Sequence, residues 1–479
     1  MTDQKAKPIQ YRQGGIELDV VTIWNFKKNA VVLNNVIIEF NIYYDLYGNG
    51  SKLEMVLIDS NGLIEMMPIV GDETCLVQFK TPTFKTKISQ LYRIYKVDSR
   101  GSRGRAEVYV LHGVSQEVMA DKRKSVNKSY SQLKPERIVE SIYEDYLRPT
   151  QEEFGAIHKN QPPLELQETQ FNQSFYFPGI RPFQAIKQVC NESVLKADNE
   201  SSEPKSKSEN FMFYQTPNGW VFKTLDSLLR QEPVDKFFHA DTGTLKTRKT
   251  KEGEEPEVFP HQYIHEMKIL NQLDTLKNLE QGLYSHVVKT IDPLLKKFTE
   301  DVWTWADNFA ELTHIEDDPK IYTDESMFSN DVGTSVSNYI PSNIGEDYQN
   351  TNDFTKRAVE ANTDFQITNP RNLHSFLKYM TSSMAQLTNI VLEIIVPGNT
   401  DVEVGNIIEI YIPQSTSEKD FMQSTNMLYG TKFLVTAVRH TYNKADDNFF
   451  TVFNCIKDTY AKDSVKENAT EGTAKTTET

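Results

Sequence analysis

Cysteine is scarce in this sequence: Cys75, Cys190 and Cys455 are the only three, far apart, each inside an apolar run. That excludes a disulfide-stapled scaffold and any zinc site built on paired cysteines, and it fits buried free thiols in a reducing compartment. Long hydrophobic runs are missing too. No stretch reaches the roughly 20 apolar residues of a membrane-spanning helix, and the opening MTDQKAKPIQ has no apolar signal core. The expectation is a soluble chain made in the cytoplasm, without a membrane span. Positive charge is in deficit. The net charge of −15 argues against nucleic acid as the main partner, because neutralising phosphates needs a basic field. Apolar content is low, 38%, with a mean hydropathy of −0.53, so much of the chain is surface, loop or interface. Its 479 residues correspond to roughly two to four domains.

Catalytic and cofactor signatures are equally thin. There is no G-x-S-x-G elbow, and no cysteine sits in a nucleophile context. His261 and His265 stand four apart, a spacing that aligns two ligands on a helix or a strand, but the glutamate of a zinc-protease motif is missing between them and no third ligand is indicated. Gly101-Ser102-Arg103-Gly104-Arg105 lacks the lysine and following helix of a phosphate loop and reads as a basic hairpin tip. Carboxylates are plentiful, yet no spacing singles out a pair for sugar hydrolysis, and Glu316-Asp317-Asp318 reads as a solvated acidic run. Lys122-Arg123-Lys124 and Lys246–Lys249 read as solvated loops or contacts to an acidic partner. The expectation is no enzyme, no catalytic, cofactor-binding or metal residues, and no cofactor.

What is there is mostly β. Near the C-terminus, Val391–Val396, Val404–Ile412, Phe433–His440 and Phe449–Ile456 are rich in β-branched residues and broken by Pro397-Gly398-Asn399, Pro413 and the polar Asn443–Asn448 loop. Both faces of the second run are apolar, as in a small barrel or a sheet covered on both sides. A similar order occurs early in the chain. Gly71–Pro82 corresponds to Gly405–Pro413, Tyr92–Val97 to Phe433–Val438, and Ala106–Leu111 to Phe449–Asn454, with a turn expected over Asp98–Arg105. This is an approximate internal repeat of a β-unit. Val36, Ile38, Phe40, Ile42 and Tyr44 alternate with polar residues and pair as a hairpin with Leu53–Asp59 across Gly48-Asn49-Gly50.

Between the β-units the signals are helical and connective. Pro135 opens a helix with the stripe Ile138, Ile142, Tyr143, Tyr146 and Leu147, stopped by Pro149, and Pro182 opens another with Phe183, Ile186, Val189 and Cys190 on one face. Phe211–Gln215 and Trp220–Leu225 form a hairpin whose turn is expected at Asn218-Gly219, with Asp226 or Ser227 capping a short helix. Tyr263–Ile269 is a candidate strand, and Asp274–Gln281 a helix closed by Gly282. Ala197–Glu209, Asp241–Phe259 and Glu316–Asn369 are polar excursions, and Pro370 starts a helix with Leu373, Phe376, Leu377, Met380 and Leu387 on its stripe.

Three of these stretches, ENFMFYQTPNGWVFKTLDSLL, LDTLKNLEQGLYSHVVKTIDPLLKKF and VPGNTDVEVGNIIEIYIP with GTKFLVTAVRH, carry a resemblance. The sequence resembles the central baseplate hub proteins of contractile-tailed bacteriophages of the T-even type, and the N-terminal part of type VI secretion spike proteins is similar in plan. The resemblance implies two similar antiparallel β-barrel domains, the second assembled from separated segments, with helical connectors between them; the chain is expected to be mixed α+β, and its long polar insertion at Glu316–Asn369 matches no motif of the family. The corresponding organisation is an N-terminal arm (1–15), a first barrel (16–118), a helical connector (119–209), a second, discontinuous barrel (210–314 with 388–460), a polar insertion and helix (315–387) and a disordered tail (461–479). It further implies a homotrimeric ring in the virion tail baseplate, assembled in the host cytoplasm. That ring would be a symmetry adaptor between the threefold central spike and the sixfold tail tube or its initiator proteins, with baseplate wedge proteins as further neighbours and no specific nucleic-acid binding. A tail-associated carbohydrate-active enzyme or binding module is the alternative.

Overall fold

The computed structural model describes residues 15–25, 27, 29–71, 73–104, 106–149, 163–170, 172–196, 210–239, 259–292, 297–316, 337–341, 373–412 and 431–459. The expectations for the N-terminal arm up to residue 14, for Ala197–Glu209, for residues 241–258, for most of the polar insertion and for the tail fall outside them, as does the Lys246–Lys249 cluster.

Seven strands form the first β-unit: β1 (Glu17–Trp24), β2 (Ala30–Val32), β3 (Ile37–Asp45), β4 (Lys52–Asp59), β5 (Thr74–Lys80), β6 (Lys87–Arg103) and β7 (Ala106–Ser115). β3 turns Phe40, Ile42 and Tyr44 into the core, as the alternation predicts. Upstream the phase slips. The register shifts between Ile37 and Glu39, so Ile37 is buried where Val36 and Ile38 were expected. β6 continues to Arg103 through a register shift between Asp98 and Gly101, with Ser99 at φ +50°, so the turn expected from Asp98 comes only at the end of the strand.

The connector is less helical than its sequence suggests. Pro135–Ile142 and Pro182–Glu192 are helices with proline in the first turn, and Tyr143–Leu147 widens into a π-turn. β8 (Val126–Leu133) precedes both, and β9 (Leu164–Leu166) and β10 (Gln173–Ile180) lie between them, with β8 and β10 paired antiparallel. β8 has no strand signature in the sequence, because VNKSYSQL buries only Val126 and Tyr130. The helices and strands enclose a core of their own that includes Ile138, Ile142, Phe177, Phe183 and Trp220.

β11 (Phe211–Thr216) and β12 (Gly219–Thr224) form the expected hairpin, with stacked pairs Phe211–Phe222 and Phe213–Trp220 at ring separations of 4.6 and 4.9 Å. Thr216 pairs with Gly219, so the two turn residues are Pro217 and Asn218 rather than Asn218 and Gly219. Gly219 is required for a different reason. Its φ is +151°, and a Cβ there would lie 2.3 Å from the Pro163 carbonyl oxygen. Gly219→Val is therefore expected to lower stability by about 2 kcal/mol, through collision as well as backbone strain; an unchanged urea midpoint would refute it. The cap of the following helix, Leu225–Leu229, is Thr224, whose Oγ1 accepts from Ser227 N at 3.2 Å, not Asp226 or Ser227.

The second β-unit is assembled from separated segments: β13 (Asp235–Phe238) and β14 (Glu266–Asn271), then, after β15 (Ser285–Asp292), β16 (Lys297–Thr304) and β17 (Ser337–Pro341), the strands β18 (Ile390–Pro397), β19 (Ile407–Tyr411), β20 (Lys432–Asn443) and β21 (Asn448–Lys457). The intervening β15–β17 form a separate small sheet, and the helix Leu373–Gln386 contributes Tyr379 and Ala385 to a third core with Trp303 and Trp305. The short helix Thr275–Glu280 is capped by Asp274, whose Oδ1 accepts from Lys277 N at 3.0 Å, and is followed by Gly282 at φ +74°.

The chain is thus mixed α+β and mostly antiparallel sheet. Both β-units belong to one thirteen-stranded sheet, ordered β14-β18-β21-β20-β3-β4-β7-β6-β5-β1-β2, with β13 and β19 attached beside β20. One buried cluster runs through both, from Val21 and Phe79 to Ile394 and Phe453. Among the described residues no helix is long and apolar enough to cross a membrane.

Candidate functional site

The two β-units are copies of one pattern. In the first, neighbouring strands run β3-β4-β7-β6-β5; in the second, β14-β18-β21-β20-β19. The registers agree residue by residue. Leu53 faces Gly113, which faces Ile94; Leu392 faces Cys455, which faces Val435. Each long strand then carries a bulge at the matching place, Tyr95 between Ile94 and Lys96, Thr436 between Val435 and Ala437. Just before the bulge Ile94 N donates to Glu73 O, and Val435 N to Asn406 O, each at 2.9 Å. A bulge bends a strand and sharpens its twist, so the two units curl at the same point.

The sequence repeat is therefore real, with one correction. Tyr92–Val97 matches Phe433–Val438 as expected, but Leu111 corresponds to Phe453, not Asn454, because Leu111 faces Val97 as Phe453 faces Val438. The pairing read from sequence was one residue out, which would have put every side chain of that strand on the wrong face.

The units meet where β20 lies antiparallel to β3, with Arg439 opposite Tyr43, His440 opposite Ile42 and Thr441 opposite Asn41. On one face Thr441 Oγ1 donates to Asn41 Oδ1 at 2.8 Å. On the other, His440 is buried among Tyr44, Phe79 and Phe449, its Nδ1 3.3 Å from Thr451 Oγ1. Burial alone depresses its pKa to about 3, so the ring is neutral.

The β11–β12 hairpin clamps this junction. Gln215 Oε1 accepts from Ser51 N at 2.7 Å, and Gln90 Nε2 donates to Pro217 O at 2.6 Å, both in the first unit. Asn218 Nδ2 reaches Glu403 in the second, and Tyr214 lies so close under Gly405 that a Cβ there would be 2.6 Å from its hydroxyl.

A second polar knot ties the end of β21 to the residues before and within the insertion. His314 Nδ1 is 2.7 Å from Asp458 Oδ2, and Gln386 Nε2 donates to the same oxygen at 3.3 Å. Burial pulls the His314 pKa down, but the Asp458 carboxylate and the Phe309 carbonyl outweigh it and hold it above the ordinary value. Beside it Lys457, fully buried, donates to Glu316 and to Lys432 O at 3.2 Å. Glu316 is thus no part of a solvated acidic run but the partner of a buried ammonium; Asp317 and Asp318 lie outside the described residues. The signal for this pair was Lys457 itself, a charge closing the run NFFTVFNCIK, where an ammonium is buried only if paired.

The sequence's other candidates do not converge. His261 lies against Phe84 and Phe259, with ring separations of 5.1 and 5.6 Å, while His265 stacks on Phe450 at 5.4 Å. Among the described residues, no group of three or more histidines, cysteines and carboxylates is placed to hold a metal ion. Cys75, Cys190 and Cys455 are free and buried, and burial raises each thiol, Cys75 and Cys190 to about 12. At the β6–β7 hairpin Arg100 is paired with Glu107 at 2.8 Å, and Lys122 and Arg123 end the helix Gln116–Arg123.

No protein-family model and no curated protein matches this chain. Solved structures do. A tail protein from Neisseria meningitidis MC58 is similar with a TM-score of 0.51 and 11% identity, over 93% of this chain and 97% of that one. The 43 kDa tail protein of prophage MuSo2 from Shewanella oneidensis is similar with a TM-score of 0.51 and 7% identity, over 92% of this chain and 98% of that one. The chain has the fold of these two tail proteins along nearly its whole length.

Proposed function

We infer that the chain is a structural, non-enzymatic component of a phage-type tail, the hub of its baseplate. Three copies form a ring that adapts a threefold central spike to a sixfold tail tube. The observation that carries this is the twin β-unit, two domains of one strand order and one bulge position joined edge to edge in a single chain. A cyclic trimer of ordinary subunits offers three equivalent patches; a trimer of twin-unit chains offers six, alternating at about sixty degrees, while its connectors and insertion stay threefold. The shared fold of two tail proteins supports the setting.

In this reading the twin units are the two barrel-like domains, 16–118 and 210–314 with 388–460. The partners are further copies of the chain, the spike on one face, tube or tube-initiator proteins on the other, and wedge proteins outside, all in the virion. Light scattering on the purified protein is expected to give three times the chain mass of 55.1 kDa, and images of the particle down its axis a sixfold pattern from the twin units. A monomer at micromolar concentration would overturn the ring.

A further inference from the structure

The twin units differ in how their edges are used. The outer edge of β20 over Ala437–Asn443 is covered by β3. The matching edge of β6, Lys96–Arg103, pairs with no strand among the described residues. In the same way β3 lies between β4 and β20, whereas its counterpart β14 is paired, among the described residues, with β18 alone. The step that carries the first unit onto the second carries β3 onto β14. It also carries β20 onto the β6 of a further first unit, which belongs to another copy.

We propose that β14 of one copy adds antiparallel to the distal half of β6 of the next copy, in the register that β3 has on β20. This rests on the ring reading above and names the contact that closes the ring. The positions follow from the matched strands, β6 having one residue more than β20 between Asp98 and Gly101, the counterparts of Arg439 and Thr441. Lys268 takes the place of Asn41, since they face Glu393 and Glu54. Gly101 takes the place of Thr441, since they face the matched residues Val108 and Phe450. The pair Asn41·Thr441 thus becomes Lys268·Gly101, and the backbone position of Glu39·Asn443 becomes that of residues 266 and 103.

Exposure supports the same placement. Ile42, covered by β20, is 0% exposed; its counterpart Ile269 is 44% exposed, and Leu270, Leu273 and Leu276 beyond it are 55%, 56% and 75% exposed. On β6, Tyr95 is 48% exposed. An open strand edge bordered by exposed apolar side chains is a surface built to pair. The two edges are different, so the contact is heterologous and its repetition generates a ring.

The test uses the full chain in two single-cysteine variants, Lys268→Cys and Gly101→Cys, mixed and oxidised mildly. Both tolerate the change: Lys268 is exposed, and a Cβ on Gly101 meets no atom within 4 Å. The native thiols are buried. Facing residues of adjacent strands have Cβ atoms roughly 4.5–5.5 Å apart, near enough to form a disulfide. The mixture is expected to give a covalent dimer, and a chain carrying both substitutions a covalent ladder ending at the ring. Tyr95→Cys paired with Lys268→Cys, about 15 Å off register along the strand once the bulges are counted, is expected to give neither. An assembly of several copies that never cross-links at the designed pair, or links equally in the shifted control, overturns the strand pairing and leaves the hub reading standing. A monomeric protein without cross-links overturns both.

Discussion

Replacing Glu316 with glutamine is expected to cost the fold about 3–5 kcal/mol, the range for removing one partner of a buried ion pair. The Lys457 ammonium is 0% exposed and Glu316 is 12% exposed. Burial drives the lysine's pKa down, and the Glu316 carboxylate opposes that. Glu316 Oε1 also accepts from Thr431 N at 3.0 Å and Lys432 N at 3.1 Å, so one carboxylate fixes the start of β20 and the end of β21 together. With glutamine the ammonium keeps the Lys432 carbonyl and the face of Phe433, 5.0 Å away, but loses the carboxylate bonded to it and is left with only the weaker pull of Asp458. The double variant Glu316→Gln with Lys457→Met removes both ions and is expected to recover most of the loss. Urea unfolding of the two variants decides the matter. A single variant within about 1 kcal/mol of the parent, or a double variant no better than the single, would show that the pair is not the anchor described.

Acid is expected to loosen the seam between the twin units through His440. The folded chain refuses a proton there until about pH 3, whereas an unfolded histidine accepts one near pH 6.5. The stabilising difference is therefore whole above about 6.5 and shrinks as pH falls toward 3, because the unfolded chain then binds the extra proton. At pH 4.5 this one group accounts for about 2–3 kcal/mol of lost stability. The carboxylates of the chain also respond to acid, so the comparison that isolates the histidine is with His440→Leu, which fills the same apolar site without a proton acceptor. The variant is expected to lose about 2–3 kcal/mol less than the parent between pH 7 and pH 4.5. Equal losses would mean that the buried ring does not govern the seam.

Most strands of both units were legible, because alternating or continuous β-branched residues bounded by glycine and proline leave few other structures open. The helices at Pro135 and Pro182 were legible for the same kind of local reason, a proline at the first turn followed by an apolar stripe. Errors arose where a contact distant in sequence decides the outcome. Gly219 reads as a turn residue, yet it is needed because Pro163 passes beside it. Glu316 reads as solvated, yet it is recruited by Lys457, 141 residues away. The repeat is misaligned by one residue in its last strand, since Asn448–Lys457 is buried on both faces and shows too little alternation to fix its phase, so only the cross-strand partners set the register.

By itself, then, the sequence determined that this is a β-rich chain with a repeated unit and without recognisable catalytic spacing, since those properties depend on neighbours within a few residues. Tertiary structure decided the rest. It placed matching bulges in β6 and β20, joined the two units through β3 and β20 into one sheet, and left the edges of β6 and β14 without a partner strand among the described residues. Backbone edges carry no side-chain code, and which ones are satisfied is known only when every strand has taken its place.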